Sequence, residues 1–111
     1  MSKIMMKICQ GDQYLIPITV KRNGVVQTSS EIDRMEVIIG SIRKEYPENM
    51  EYHSSSQKFL FPLNEEESLT LPANVYDVMC RPLYSDGTII GWKSAGSLQV
   101  VEMKGAEQIE H

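Results

Sequence analysis

Short runs of alternating apolar and polar residues, separated by turn-forming residues, recur along most of the chain and limit its possible folds. The clearest run covers residues 14–21, with an apolar set of Tyr14, Ile16, Ile18 and Val20. A period of two is that of a strand with one buried face. Pro17 falls in the outward set, which predicts an edge or bulged strand. Turns such as Asn23-Gly24 and Asp86-Gly87 follow these runs, so we expect an all-β sandwich.

The middle of the chain continues this pattern. Residues 34–42 are predicted to form one central strand in which Gly40 marks a bulge or a close approach. Residues 43–50 contain a proline and several charges, which predicts a surface connection between sheets. Two shorter strands, Glu51–His53 and residues 57–63, are predicted to form a hairpin closed by three serines.

One helical turn is predicted after Asn64. Asn64 is a suitable N-cap, and the glutamates at residues 65–67 occupy the first turn, where the helix dipole favours anions. Leu69 and Leu71 are expected to anchor the turn to the core, and Pro72 to end it. A cation site at the three glutamates is the rival interpretation, but carboxylates adjacent in sequence do not converge on one ion without further ligands.

The last third of the chain predicts three more strands. Residues 75–83 form a strand with Tyr76 and Cys80 on one face, residues 88–92 return after the turn at Asp86-Gly87, and residues 97–103 end the sheet. About eight strands result. The sequence favours a sandwich or barrel because short strands are separated by turn residues at intervals of about 8 to 12 residues.

Composition and charge bound the function. The 111 residues fit one domain, with a core at about 4–103 and a short C-terminal tail, and the net charge is -4. The basic residues are scattered, so we expect no nucleic-acid partner. No apolar run approaches the roughly 18 to 20 residues of a membrane helix, and no signal-peptide pattern is present, so we expect no membrane and a cytoplasmic origin.

No catalytic, cofactor-binding or metal-binding residue is predicted. His53 sits in a polar hairpin and His111 is the last residue, and neither has a Cys or His partner at ligand spacing. Cys80 lies on an apolar strand face, where burial would raise its pKa and reduce its reactivity. Free thiols are the favoured state of Cys9 and Cys80, and a disulfide that joins the first strand to a late one remains open. We therefore expect a protein that is not an enzyme.

Four residues are predicted to have structural roles: Tyr76, Asp77, Cys80 and Trp92. Tyr76 is expected to act as a corner tyrosine, with its ring at the sandwich edge and its hydroxyl bonded to backbone upstream. Cys80 is expected in the core. Trp92 is expected to pack near the last hairpin.

Several short motifs occur in a characteristic order. They are Gly11-Asp12, Asn23-Gly24, Phe59-Leu60-Phe61, Glu66-Glu67-Ser68-Leu69, Tyr76-Asp77-Val78, Asp86-Gly87 and Gly96-Ser97-Leu98-Gln99-Val100. In this order the chain resembles the immunoglobulin-like β-sandwich domains of phage baseplate upper proteins and related prophage tail proteins. The motif order departs from that family where Ala73-Asn74 stand at a common glycine position.

The resemblance implies a single immunoglobulin-like β-sandwich of about seven to eight short antiparallel strands with one helical turn. It implies a structural or assembly protein of a phage or prophage tail or baseplate, without catalysis or cofactors. Its partners would be other tail or baseplate subunits, with a possible homo-oligomer. It would assemble in the host cytoplasm and then reside in the virion.

A ligand-binding module is the alternative function. Carbohydrate-binding sandwiches stack exposed aromatic rings on sugars, and the candidate contacts here are Tyr46, Tyr52, Tyr84 and Trp92. The opposing interpretation is that Tyr84 and Trp92 cap the core at the last hairpin, because large aromatics in short strands are usually packed.

Overall fold

The computed structural model describes residues 4–102, so Met103 and the predicted tail lie outside the described residues. Ten strands and one helix occur within those residues. They are β1 (Ile4–Cys9), β2 (Tyr14–Ile18), β3 (Lys21–Arg22), β4 (Val25–Val26), β5 (Ile32–Ile39), β6 (Ile42–Tyr46), β7 (Glu51–His53), β8 (Lys58–Leu63), α1 (Glu65–Thr70), β9 (Asn74–Tyr84) and β10 (Lys93–Val101).

The strands form two main sheets. One has five strands in the order β1-β10-β9-β5-β6, the other has three in the order β2-β8-β7, and β3 and β4 form a separate hairpin. Strands β2, β8 and β7 correspond to B, E and D of an immunoglobulin-like sandwich, and β5, β9 and β10 to C, F and G. The predicted fold class is confirmed. The strand pairs are antiparallel as predicted, with the exception of β1, which runs parallel to β10.

The core lies between the inner faces of the two sheets. From the three-stranded sheet it takes Ile16, Ile18, Phe59, Phe61 and Leu63, and from the five-stranded sheet Met35, Val37, Ile39, Val78, Cys80, Leu98 and Val100. The predicted alternation in residues 14–21 is confirmed, because Ile16, Ile18 and Val20 are buried and Tyr14 is half-buried. Two apolar faces that meet in this way supply the main driving force for folding.

The prolines within strands lie where a missing backbone donor costs little. Pro17 is on β2, which is an edge strand as predicted. Pro62 is on the central strand β8, but the pairing of β8 with β7 stops at Leu60. Pro82 is likewise two residues beyond Cys80, where the pairing of β9 with β10 begins. Each proline therefore lies where its strand is paired with a neighbour on one side only.

The prediction of one strand over residues 34–42 is wrong. The chain reverses at Gly40, with a φ of 59°, and Ile39 pairs with Ile42 in the hairpin of β5 and β6. Residues 43–50 are not simply a surface connection, because β6 extends to Tyr46 and Met50 is buried. Arg43 and Glu45 lie on the outer face of the sheet, whereas Lys44 lies opposite the buried Val37 and pairs with Glu67 at 3.0 Å.

The predicted capping of the helix is confirmed. The Asn64 side chain accepts from the Glu67 backbone N–H at 2.7 Å, and the Glu67 carboxylate accepts from the Asn64 N–H at 3.0 Å. Leu71 is buried as predicted, but Leu69 is 51% exposed. Ser68 is buried instead, because it lies three residues before the buried Leu71 and so is on the same side of the helical turn. Its hydroxyl donates to the Asp12 carbonyl at 2.7 Å.

The turn at Asp86-Gly87 is confirmed, whereas the strand predicted for residues 88–92 is wrong. Only an isolated bridge between Leu83 and Ile89 forms there. The last strand instead begins at Lys93, and a register shift interrupts it between Ser94 and Ser97. Turn residues on both sides of a short apolar run did not suffice to make it a strand.

We expect Gly40→Ala to destabilise the protein much more than Gly87→Ala. Both glycines have positive φ, so each alanine costs about 1 to 2 kcal/mol of backbone strain. At Gly40 an added Cβ would also lie 2.8 Å from Leu71 Cδ2 and 3.2 Å from the Tyr76 ring, whereas at Gly87 no atom lies within 4 Å. Overpacking adds about 1 to 3 kcal/mol. Equal losses in urea unfolding would contradict this packing.

Candidate interaction surface

Tyr76 fixes one end of the sandwich. Its hydroxyl donates to the Pro72 carbonyl at 2.6 Å, so the predicted bond to upstream backbone is confirmed. Its ring packs against the core beside Gly40. Asp77, the next residue, is exposed and accepts from the Ser97 hydroxyl at 3.3 Å across the pair of β9 and β10. Tyr76 therefore fixes the segment before β9, and Asp77 ties β9 to β10.

The two cysteines are free thiols, as the favoured prediction has it. Cys9 pairs with Val101 and Cys80 with Lys93, eight positions apart on β10. Eight residues of strand span about 26 Å, far beyond the roughly 7 Å at which Cα atoms permit a disulfide. Cys80 is buried as predicted, and desolvation raises its pKa to about 12, so its thiol is protonated at neutral pH.

The four aromatic residues proposed as ligand contacts do not form one exposed surface. Tyr46 and Tyr52 pack against Phe59, with ring centroids at 4.9 and 4.8 Å. Tyr84 is 1% exposed, so its assignment as a ligand contact is wrong. Trp92 is 39% exposed, so the prediction that it caps the core is also wrong. It lies outside the regular strands and is not among the described residues that pack against the core.

Tyr84 lies under a charged pair at the end of β9. The Arg22 guanidinium is 4.3 Å from the centre of its ring, and Arg22 also pairs with Asp86 at 3.2 Å. Within residues 4–102 the Tyr84 hydroxyl has no hydrogen-bond partner. Burial raises the pKa of Tyr84, and the Arg22 charge partly offsets this effect. The Tyr84 ring therefore contributes to packing, whereas its unpartnered hydroxyl lowers the stability of the fold.

Within residues 4–102, no group of three or more His, Cys, Asp or Glu side chains is arranged so that it could hold a metal ion. His53 exchanges hydrogen bonds with Ser55 and Ser56 of its own hairpin, and His111 lies outside the described part of the chain. None of the helices in this part is long and apolar enough to cross a membrane.

The outer side of the three-stranded sheet carries an unexpected apolar surface. Leu15 pairs with Pro62 and Pro17 with Leu60, so these four side chains form a block of two adjacent cross-strand pairs, which we name the apolar face. Leu15 is 59% exposed. Strands β2 and β8 alternate in burial, and their inward residues are Ile16, Ile18, Phe59, Phe61 and Leu63. Both the inward and the outward residues of these strands are thus apolar, and this pattern is visible in the sequence.

The outer side of the five-stranded sheet is different. Arg34 pairs with Glu45 at 2.6 Å, and Arg43 pairs with Glu36, both across the hairpin of β5 and β6. An antiparallel sheet with one solvated side normally carries polar residues there, as the hairpin of β5 and β6 does. The apolar face breaks that rule, because Leu15 is exposed and Pro17, Leu60 and Pro62 are half-buried. A large contiguous apolar patch at a protein surface marks an interaction site.

A hollow of about 380 Å³ borders the apolar face. Its lining combines Leu15, Leu60 and Pro62 with Glu48 of the segment that precedes β7 and with Glu51, the first residue of β7. Both glutamates are exposed. An apolar centre with a polar rim is the usual organisation of a protein–protein interface.

Comparison with known proteins supports the fold. No protein-family model and no curated protein matches the chain. A structure of fibronectin(III)-like modules of Clostridium thermocellum CbhA is similar, with a TM-score of 0.51 and 13% identity over 91% of this chain and 43% of that one. The chain thus spans less than half the length of this neighbour. The likeness shows the immunoglobulin-like β-sandwich fold alone.

We expect Tyr84→Phe and Tyr76→Phe to have opposite effects. Removal of the unpartnered Tyr84 hydroxyl should leave the free energy of unfolding unchanged or raise it, because a buried polar group without a partner costs about 1 to 3 kcal/mol. Removal of the Tyr76 hydroxyl loses its bond to Pro72 and should cost about 0.5 to 1.5 kcal/mol. Urea unfolding of both variants checks this, and a clear loss of stability in Tyr84→Phe would contradict it.

Cys80 should make the protein less stable at alkaline pH. Its pKa is about 12 in the folded state against 9.0 for an ordinary thiol, so both states keep the proton below pH 9. Above that pH the unfolded state releases it first, and stability falls by at most about 1.4 kcal/mol per pH unit up to the folded pKa. Cys80→Ala should show a shallower decline between about pH 9 and 10.5. Parallel declines for both proteins would contradict a buried protonated thiol.

Proposed function

We propose that the chain is a non-catalytic assembly module of a phage or prophage tail or baseplate, which acts through protein–protein contacts. Its docking surface is the apolar face. In this proposal it binds neighbouring tail or baseplate subunits, or further copies of itself, in the host cytoplasm and remains in the virion. The single observation that carries the docking proposal is the block of Leu15, Pro17, Leu60 and Pro62 on the solvent side of a sheet.

The apolar face has the character of an interface centre. Stable interfaces bury about 800 Å² on each partner, and a few central apolar residues supply most of the binding energy. Four side chains cover part of such an area, and the adjacent hollow with its glutamate rim extends it. Two of the four are prolines, whose rigid rings lose little conformational entropy on binding.

The assignment to a phage tail has a separate basis. It rests on the order of short motifs from Gly11-Asp12 to residues 96–100, which resembles the tail and baseplate domains. The sandwich fold agrees with that class but serves many unrelated functions, so the fold by itself does not select it. The docking proposal and the phage assignment can therefore be tested separately.

Glycan binding has less support. Sugar stacking needs exposed rings on one surface, but Tyr46 and Tyr52 pack on Phe59 and Tyr84 is buried. Of the four candidates only Trp92 is substantially exposed. We therefore retain protein assembly as the proposed function.

The test is Leu15→Lys, with Val75→Lys as the matched control. Both positions are exposed strand positions, Leu15 on the apolar face and Val75, 49% exposed, on β9 of the other sheet. Each variant is co-expressed with the proteins encoded by the neighbouring genes and examined by size-exclusion chromatography with light scattering. We expect the wild-type chain and Val75→Lys to assemble and Leu15→Lys to remain monomeric.

Two results would contradict the proposal in different ways. A wild-type chain that stays monomeric at every concentration and joins none of those proteins would remove the assembly function. Assembly that survives Leu15→Lys would place the docking surface elsewhere. Neighbouring genes for polysaccharide enzymes, in place of tail-tube or tape-measure proteins, would remove the phage assignment.

A further inference from the structure

The hollow beside the apolar face has an apolar floor. Leu15, Leu60 and Pro62 of the apolar face line it, together with Pro47 and the buried Met50. Its volume of about 380 Å³ lies within the range of protein ligand sites, which starts at roughly 300 Å³. The hollow is therefore large enough to receive one large side chain of a binding partner.

Two carboxylates stand at the rim of this hollow. Glu51 is the cross-strand partner of Leu60, and the Cβ atoms of such partners lie about 5 Å apart. Glu48 belongs to the turn between β6 and β7, and both glutamates are exposed. The ion pairs that form within residues 4–102 use other carboxylates. The rim thus carries two negative charges that no described cation neutralises.

The lysine and arginine side chains of β6 and β8 are engaged elsewhere. Arg43 and Lys44 of β6 form ion pairs with other glutamates. Lys58 of β8 donates to the Thr19 hydroxyl at 2.6 Å, on the side of β2. No basic residue is among the described residues that line the hollow. The two rim carboxylates therefore remain available to cations of a binding partner.

We propose that this hollow receives an aromatic side chain of a partner protein that is flanked in sequence by arginine or lysine. The hollow then serves the docking function proposed above, on which this assignment rests. Proline and aromatic rings pack against each other in the recognition of proline-rich segments, and the hollow contains both Pro47 and Pro62. Guanidinium groups pair with carboxylates through two parallel hydrogen bonds, which suits Glu48 and Glu51. Aromatic residues and arginine are also the side chains that dominate the binding energy of interfaces.

The charges argue against a second copy of the chain as the occupant. Its net charge is -4, so two copies repel each other. The same hollow on a second copy presents the same two carboxylates, which cannot neutralise those of the first. A partner with basic residues beside its aromatic anchor supplies both the ring and the cations.

The test uses short blocked peptides with glycine and serine flanks. Their centres are arginine-tryptophan-arginine, glutamate-tryptophan-glutamate and arginine-alanine-arginine, and backbone amide shifts of the full chain locate and measure the binding. We expect the first peptide to shift the amides of Leu15, Met50 and Leu60. The second should bind at least about tenfold more weakly because attraction becomes repulsion, and the third likewise because the anchor is lost.

Neutral substitutions at the rim sharpen the result. Glu48→Gln and Glu51→Gln should each weaken the arginine-tryptophan-arginine peptide about threefold and together about tenfold, and added salt should weaken its binding to the wild-type chain. Asp33→Asn is the matched control, because Asp33 is an exposed carboxylate on β5 of the other sheet. It should leave the affinity unchanged.

Four results would overturn the partner chemistry and leave the docking function intact. They are no binding of the arginine-tryptophan-arginine peptide, equal binding of the glutamate-tryptophan-glutamate peptide, amide shifts centred away from the hollow, and an affinity that the two glutamine substitutions leave unchanged. Self-association of the purified wild-type chain that Leu15→Lys abolishes would also overturn it, because a second copy would then be the occupant. Assembly that survives Leu15→Lys would instead contradict the docking function itself.

Discussion

The contact between the inner faces of the two sheets is the interaction on which the rest of the structure depends. Phe59 lies at its centre on β8, fully buried and in contact with the rings of Tyr46 and Tyr52. Strands β2 and β8 must place their large apolar residues inward. This requirement fixes the register of the three-stranded sheet, because a slip of one residue would turn every core side chain outward. Tyr76, Gly40 and Leu71 close one end of this contact.

The fixed register determines which residues reach the surface. On the five-stranded sheet the outward residues include charged pairs, as with Arg34 and Glu45, although Val75 is also exposed there. On the three-stranded sheet the outward positions of β2 and β8 hold leucines and prolines, so that β2 and β8 are apolar on both sides. A strand that is apolar on both sides is normally covered on both sides. The proposed docking function follows because the apolar face, which would normally be covered, lies at the surface.

Much of the fold could be predicted from local signals, and the failures have physical causes. The alternation of residues 14–21, the cap at Asn64 and the hydroxyl bond of Tyr76 depend on neighbours in sequence, and all three are confirmed. Gly40 is predicted to mark a bulge or a close approach. The close approach, to Leu71 and Tyr76, is confirmed, but the residue lies in a turn, because positive φ serves bulges and turns equally. The parallel pairing of β1 and the exposure of Trp92 depend on distant strands that no local pattern specifies. The apolar face was visible in sequence, but only the register showed that its four residues adjoin.

The most direct test of the central claim is hydroxyl-radical footprinting of the chain, free and within its assembly. If the apolar face is the docking surface, oxidation of Leu15 and Leu60 should fall strongly on assembly, while Val75, exposed on the five-stranded sheet, should remain as reactive as in the free chain. Unchanged oxidation of Leu15 together with protection of Val75 would contradict the account.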